Sequence, residues 1–197
     1  MAIAYIDWSS QEVAIAAALS GDPFLIDPVA SGDPYLSFAV RAGLAPEGAT
    51  KASHRTIRDL CKACVLGTNY GMGARTLAFR TNTSIVEAEA LLRMLARTYP
   101  VFAEWQSRSV DVALLRGYMS TVFGWKLHVT GSTRPTALRK FPMQSHGAEM
   151  LRIACCLATE QGVSVCAPVH DALLIEAPAD QIDDAVAVTR DAMAKPP

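Results

Sequence analysis

The sequence lacks the features that mark a membrane protein, a secreted protein or a general nucleic-acid binder. No apolar run in the 197 residues approaches the length that spans a bilayer, about 18 residues. The start, MAIAYIDWSS, has no basic stretch before its apolar one, so it predicts a buried strand and not a signal peptide. The net charge of −1 argues against indiscriminate binding to nucleic acid.

The number of cysteines is odd. Five cysteines without a secretion signal indicate free thiols in a reducing cytoplasm. Cys61 and Cys64 form a CxxC pair, which could join Cys155 and Cys156 in a zinc site. We favour small buried side chains at Cys61 and Cys64, because positions three apart share a face of a helix.

Apolar residues are abundant and the charges are unevenly distributed. Apolar side chains make up 51% of the chain, which predicts a substantial core. From Lys51 to Arg80 there are six cationic residues and one anionic residue, whereas Asp180 to Asp191 is acidic. This asymmetry predicts a face that binds an anion, although a solvated helix face would give the same pattern.

Periodicity and turn residues predict a strand, then many helices, then a hairpin and a last helix. Residues 21–34 contain three Asp-Pro pairs and are predicted to be a loop. One helix is expected to break near Gly67, and Thr83 or Ser84 is expected to cap another. The predicted helices are 11–19, 34–42, 53–66, 84–97, 101–116, 142–160 and 180–193, and the predicted strands are 2–6, 118–122, 126–129, 163–169 and 172–176.

Two apolar runs that lie far apart in the chain each end on an aspartate. AIAYI leads to Asp7, and VCAPVH leads to Asp171. We expect the two strand regions to share one sheet, because an isolated hairpin is marginal in water. Asp7 and Asp171 would then lie together and could hold the two divalent cations of a phosphoryl transfer. Taken singly, Asp7 could instead be a helix N-terminal anion, and Asp171 a turn residue.

A helical stretch between these runs carries Arg58, Lys62, Leu66 and Tyr70 at four-residue intervals. Residues four apart lie along one helix face. Cations in such a row can bind a triphosphate and spread its charge. With the carboxylate pair, the row predicts metal-dependent chemistry on a nucleoside triphosphate, in a cleft between a sheet and a helical insertion.

Four segments strengthen this prediction by their order, namely DWSSQE, RDLCKACVLGTNYG, FPMQSHGAEM and VHDALLIE. The chain resembles the palm and fingers of family A DNA polymerases from near residue 2 to its end. The resemblance implies an α+β fold in which a small antiparallel palm sheet carries the catalytic aspartates and a large helical insertion forms the fingers. It implies palm at 1–20, fingers at 21–135 and palm again at 136–197.

The resemblance gives the catalytic and triphosphate-binding residues their roles. Asp7 and Asp171 match the two catalytic aspartates, which with the backbone carbonyl of Trp8 would hold two Mg²⁺ ions. Arg58 and Lys62 match the pair that grips the triphosphate.

Other matched residues would select the nucleotide. Leu66 stands where most members have an aromatic residue and would face the incoming base or sugar, which predicts altered handling of chain terminators. Glu12 and Tyr70 match the gate that excludes a ribose 2′-hydroxyl. Tyr70 could instead be an aromatic residue that fills the core.

Three further residues would contact primer–template DNA. Gln144 matches a residue that can bond to minor-groove acceptors, which are similarly placed in all base pairs. His170 and Gly71 match neighbours of the DNA. His170 could instead be a hairpin histidine whose ring bonds to the main chain.

The chain departs from the family pattern in three places. Ala172 replaces a glutamate beside the second aspartate, and Ser10 and Gln11 replace the usual glutamine and apolar residue. The chain starts six residues before Asp7 and stops 26 after Asp171. We therefore expect a fragment or truncated form without the thumb that grips duplex phosphates.

The resemblance implies a template-directed DNA polymerase core that adds deoxynucleotides to a primer 3′-hydroxyl. Its partners would be primer–template DNA and deoxynucleoside triphosphates, with no membrane, in the cytoplasm. The alternative is a non-catalytic remnant that binds DNA, nucleotide or a partner chain. A two-metal nuclease has little support, since a nuclease needs no triphosphate-binding row.

Overall fold

A computed structural model describes residues 1–195, which form two compact units. One unit comprises Met1–Gln11 and the described residues from Gln144 onward, and the other comprises Glu12–Met143. The elements in chain order are β1 (Ala2–Asp7), α1 (Gln11–Ser20), α2 (Pro23–Ser31), α3 (Pro34–Arg41), α4 (Arg55–Asn69), α5 (Ala74–Thr81), α6 (Ile85–Thr98), α7 (Pro100–Arg116), β2 (Tyr118–Ser120), β3 (Lys126–His128), α8 (Pro135–Glu160), β4 (Ser164–Val169), β5 (Ala172–Ala177) and α9 (Ile182–Ala194).

The first unit is built on an antiparallel sheet with the strand order β1-β5-β4. The first and last strand regions of the chain therefore share one sheet, which confirms the prediction. The β1–β5 register runs from Ala2 opposite Ala177 to Asp7 opposite Ala172. A register shift between Val165 and Ala167 interrupts the β4–β5 ladder.

One face of this sheet carries the core of the first unit. Side chains alternate across a strand, so Ile6, Leu173 and Ile175 point to the same side, where they are buried. Leu151 of α8 and Met193 of α9 belong to the same cluster of buried apolar residues. This packing fixes the strand ends that carry Asp7 and Asp171.

The second unit is helical, with one small hairpin. In it α3 packs against α4, and α5 packs against α6. The Phe38 and Tyr99 rings, both buried, lie 5.9 Å apart between centroids. Strands β2 and β3 pair antiparallel, and their inner side chains pack on Val110 and Leu138. The α+β class, with a small antiparallel sheet and a large helical insertion, is confirmed.

The prediction of a loop at residues 21–34 was wrong, because α2 occupies most of that range. Asp22 caps α2 by accepting a hydrogen bond from the Phe24 N–H, and Pro23 takes the first helical position. Proline suits that position because the amide hydrogen it lacks would have no helical partner there. Gly32 then ends α2 with φ +106°.

Helix α4 does not break near Gly67 as predicted but continues to Asn69. A β-carbon on Gly67 would lie 3.0 Å from the Met72 sulfur, so this glycine allows close packing rather than a turn. Helix α5, which the periodicity did not reveal, follows. Helix α8 begins at Pro135 rather than Pro142, with Pro142 inside it.

The remaining boundaries match the predictions to within a few residues. Ser84 is the cap of α6, and it forms a reciprocal capping box with Glu87. In residues 1–195, no helix combines the length and the apolar content needed to cross a bilayer.

Candidate active site

Strand pairing brings the two predicted catalytic aspartates together in the first unit. Asp7 ends β1 opposite Ala172, and Asp171 directly precedes Ala172. The Trp8 N–H donates to the Asp171 carbonyl at 3.4 Å. From strand geometry the two aspartate Cα atoms are therefore about 6 Å apart. The expectation that Asp7 and Asp171 converge is confirmed, and their catalytic role stays a prediction.

The backbone near this pair is unusual. Among residues 1–195, the non-glycine residues with positive φ are Ser10 (55°), Asn82 (53°) and His170 (62°). Two of these three lie within three residues of Asp7 or Asp171. Left-handed backbone is uncommon outside glycine and tends to cluster at functional sites. His170 takes this conformation in the two-residue turn between β4 and β5, and it is exposed.

Trp8 is anchored from two sides. Its indole Nε1 donates to the Met193 carbonyl of α9 at 3.0 Å, and its backbone N–H reaches Asp171. These bonds tie the end of β1 to both the β4–β5 turn and α9. They fix the Trp8 backbone, whose carbonyl is expected from the family resemblance to be a metal ligand.

The carboxylate oxygens of Asp7 and Asp171 suit a hard divalent cation. Asp7 is exposed and Asp171 half-exposed, so solvent or a ligand can reach both carboxylates. Among residues 1–195, no three or more histidine, cysteine, aspartate or glutamate side chains converge as a metal site. Two carboxylates fit Mg²⁺, which keeps several waters and commonly shares its coordination with substrate phosphates.

The first unit also contains two glutamines, Gln11 and Gln144, that differ in their exposure. Gln144 lies within α8 and is exposed, which leaves its amide available to a ligand. Gln11, at the start of α1, is buried, and its Nε2 has no hydrogen-bond partner within residues 1–195. A β-carbon on Gly147 would lie 2.8 Å from the Gln11 Oε1, so α8 has a glycine where this side chain packs.

The predicted triphosphate-binding row lies on α4 in the second unit. Arg58 and Lys62 follow one another by one turn, and Leu66 is half-buried. The two cations differ in their surroundings. Lys62 is exposed, whereas the Arg58 side chain is 14% exposed and pairs with Asp33 through an Nε–Oδ2 distance of 2.5 Å. The contact between Arg58 and Asp33 was not predicted from the sequence.

Glu12 and Tyr70, the predicted sugar gate, contact each other directly. The Tyr70 hydroxyl donates to the Glu12 Oε1 although the residues are 58 positions apart. Tyr70 is 37% exposed at the C-terminal end of α4, so it does not fill the core, contrary to the alternative. A cavity of about 450 Å³ is lined by Tyr70, Met72, Thr76 and Arg80.

Gly71 has a conformational and a packing reason to be glycine. Its φ is +70°, in the left-handed region. A β-carbon would also lie 3.1 Å from the Thr136 Cγ2 and 3.4 Å from the Thr136 Cα. These contacts explain the glycine without DNA, and the predicted DNA contact stays untested.

Cys61 and Cys64 are buried on α4, as the favoured interpretation predicted. Burial raises the pKa of each thiol from 9.0 to about 12, and for Cys64 the neighbouring Cys61 raises it further while a hydrogen bond to Thr68 lowers it. The raised values follow from burial, as expected for small side chains packed in a helix interface.

The overall fold is that of a polymerase domain. It is similar to a solved structure described as the POL domain of Pol1 from M. smegmatis in complex with DNA primer-template and dNTP. The TM-score is 0.85 and the identity 26%, over 98% of this chain and 37% of that one. The sequence of residues 1–196 matches the family profile of DNA polymerase family A, so the chain belongs to that family.

Curated relatives agree with this assignment. A thermostable DNA polymerase I from Thermus thermophilus is 29% identical over 98% of this chain and 25% of its own length. DNA polymerase I from Deinococcus radiodurans is 26% identical over 95% of this chain and 21% of its own length. The chain thus spans about a quarter of the length of these relatives.

Proposed function

We propose that this chain carries the nucleotidyl-transfer centre of a template-directed DNA polymerase. The observation that carries the proposal is the position of Asp7 and Asp171 at adjoining strand ends, tied by the bond between Trp8 and Asp171. Both carboxylates and the Trp8 carbonyl would hold Mg²⁺. Two bound cations would activate the primer 3′-hydroxyl and neutralise charge on the triphosphate and the leaving pyrophosphate.

The row on α4 would bind the incoming nucleotide. Arg58, held by Asp33, would offer its remaining guanidinium N–H groups to phosphate oxygens. Lys62 would add a mobile charge, and Leu66 would give an apolar contact to the base or sugar without a stackable ring. Arg58 and Lys62 would not need to donate or accept a proton in these roles, because positioning and charge stabilisation dominate phosphoryl transfer.

The Glu12–Tyr70 pair would restrict the substrate to deoxynucleotides. The hydrogen bond holds the Tyr70 ring where its edge and the carboxylate can limit space below the sugar. Replacing Glu12 with alanine should increase ribonucleotide incorporation relative to deoxynucleotide incorporation. Equal discrimination in Glu12→Ala and wild type would remove this role.

Gln144, His170 and Gly71 would lie along the primer–template. The exposure of Gln144 and His170 supports a contact of this kind. The corresponding domain assignment is palm for residues 1–20 and 136–197, and fingers for 21–135.

The experiment is Mg²⁺-dependent primer extension at low salt, because phosphate contacts lose affinity steeply as salt rises. Wild type is compared with Asp7→Asn, Asp171→Asn and Asp27→Asn, the last being a control at an exposed carboxylate on α2. We expect wild type and Asp27→Asn to extend the primer, and we expect Asp7→Asn and Asp171→Asn to lose extension. Saturable nucleotide binding without extension by wild type would instead indicate a non-catalytic polymerase relative.

A further inference from the structure

The contact between Asp33 and Arg58 links two helices of the second unit. Asp33 precedes α3, where its Oδ1 accepts a hydrogen bond from the Leu36 N–H at 3.1 Å and so caps that helix. Its other oxygen, Oδ2, accepts from the Arg58 Nε at 2.5 Å. One carboxylate therefore joins the start of α3 to Arg58, the first residue of the predicted triphosphate-binding row.

This ion pair is more enclosed than the ion pairs along the helix surfaces. The Arg58 and Asp33 side chains are 14% and 27% exposed, whereas those of Arg93 and Glu89 on α6 are 59% and 51% exposed. Exposed pairs contribute little because water and mobility weaken them. A short, charge-assisted bond in a screened position holds its partners in one geometry.

The ring of Tyr35 lies against the guanidinium group of the same arginine. The ring is buried at 4% exposure, and the Arg58 guanidinium carbon lies 5.3 Å from the ring centroid. The Lys62 Nζ lies 5.7 Å from that centroid, but no carboxylate pairs with Lys62 among residues 1–195. Of the two cations in the row, only Arg58 is held both by an aromatic face and by a half-buried carboxylate.

We propose that Asp33 is a positioning residue, which orders Arg58 in advance for a nucleoside triphosphate. The inference rests on the proposed function, since it assumes that Arg58 binds phosphate. Arginine has five N–H donors, and the bond to Asp33 uses the one on Nε. The terminal nitrogens keep donors for phosphate, although the Asp59 Oδ1 lies 3.5 Å from Nη1. A pre-ordered side chain loses less conformational entropy when the ligand binds.

Asp33 also brings a negative charge close to the anion site, which opposes the effect of ordering. If partial neutralisation of the Arg58 charge by Asp33 dominated, removing the Asp33 carboxylate would tighten triphosphate binding. We infer that ordering dominates, because the bond occupies Nε and leaves the guanidinium charged. The sign of the change in affinity therefore separates the two effects.

The test measures binding of deoxyadenosine triphosphate with Mg²⁺ to the full chain by titration calorimetry at fixed ionic strength. Asp33→Ser keeps an N-cap oxygen for α3 but is too short to hold Arg58 as well. Ordering one long side chain predicts that Asp33→Ser weakens binding by about three- to tenfold. In an Arg58→Ala background the same change should alter affinity by less than about twofold, because its partner is gone.

Two matched controls isolate the contact. Ser84→Ala removes the cap of α6 without touching Arg58, and Asp27→Ser removes an exposed carboxylate of the same unit. Both should leave the affinity unchanged. The thermal midpoint of each variant shows that the compared chains are folded at the titration temperature.

The outcomes distinguish this inference from the proposed function. If Arg58→Ala leaves affinity unchanged, or wild type does not bind the nucleotide, the assumed role of Arg58 and the inference both fail. If Arg58→Ala weakens binding but Asp33→Ser has no effect or tightens it, the inference alone fails. An equal effect of Asp33→Ser in both backgrounds would also overturn it.

Discussion

Replacing Asp22 with alanine should destabilise the helical unit more than any other single change at a helix cap, because this carboxylate serves two helices. Asp22 is fully buried. Its Oδ1 accepts from the Phe24 N–H at 2.9 Å, and its Oδ2 accepts from the Phe102 N–H at 2.9 Å. Phe102 lies in the first turn of α7, whose own N-cap residue, Tyr99, makes no side-chain capping bond. Asp22 therefore also satisfies the N-terminus of a helix 80 residues away.

The expected magnitude follows from these two bonds. Losing an N-cap costs about 0.5–2 kcal/mol, and leaving a buried N–H unsatisfied costs about 1–3 kcal/mol, so Asp22→Ala should cost about 2–5 kcal/mol. Asp22→Ser should keep the α2 cap but lose the reach to Phe102, with a cost of about 1–3 kcal/mol.

Urea unfolding followed by far-ultraviolet circular dichroism measures these costs. With a slope of about 2 kcal/mol per molar urea, Asp22→Ala should lower the midpoint by about 1–2.5 M. Asp27→Ala, at an exposed position on the same helix, should stay within about 0.5 kcal/mol of wild type. A loss of less than 1 kcal/mol in Asp22→Ala, or equal losses in Asp22→Ala and Asp22→Ser, would refute the two-helix argument.

Three other predictions concern reactivity, nucleotide choice and the sheet core. With thiol pKa values of about 12, Cys61 and Cys64 should stay protonated and unlabelled by a thiol reagent at pH 8, while exposed Cys166 reacts at once; fast labelling of all three in folded protein would contradict this. Leu66→Tyr should increase incorporation of dideoxynucleotides relative to deoxynucleotides in primer extension, and an unchanged ratio would show that residue 66 does not meet the sugar. Leu173→Ala, at a fully buried position, should lower the free energy of unfolding by about 2–5 kcal/mol in urea, and a loss below 1 kcal/mol would mean that the sheet core does not depend on it.

The sheet and its carboxylate pair could be predicted from the sequence because the relevant signals are local and strong. The two apolar runs AIAYI and VCAPVH each lead to an aspartate. A strand pair that stands alone needs a further strand for stability. Those two facts place Asp7 and Asp171 near each other. The family motifs then give chemistry to a position that strand pairing had already predicted.

Helix α2, which was predicted to be a loop, shows where local patterns are ambiguous. An aspartate followed by proline begins both α2 and α3, at Asp22 and Asp33. The pair can equally form a turn, and Pro28 within the segment argued further against a helix. What decides is the tertiary bond from Asp22 to Phe102, and no local pattern encodes a contact across 80 residues.

The Asp33–Arg58 contact was missed for a related reason. A four-residue spacing shows that Arg58 and Lys62 share a helix face, but it does not show which neighbouring element covers that face. The available signal was Asp33 itself, an acid close in sequence to the basic segment. Only the packing of α3 on α4 shows that it pairs with Arg58 rather than with solvent.

The most direct test of the central claim is the rate of adding one deoxynucleotide to a primer by Asp7→Asn, Asp171→Asn and the double variant, with Mg²⁺ at saturating enzyme. If the two carboxylates hold the metals as a unit, each single variant should lose at least about a thousandfold in rate, and the double variant should lose little more. A single variant that retains a rate within tenfold of wild type, or losses that multiply in the double variant, would contradict the account.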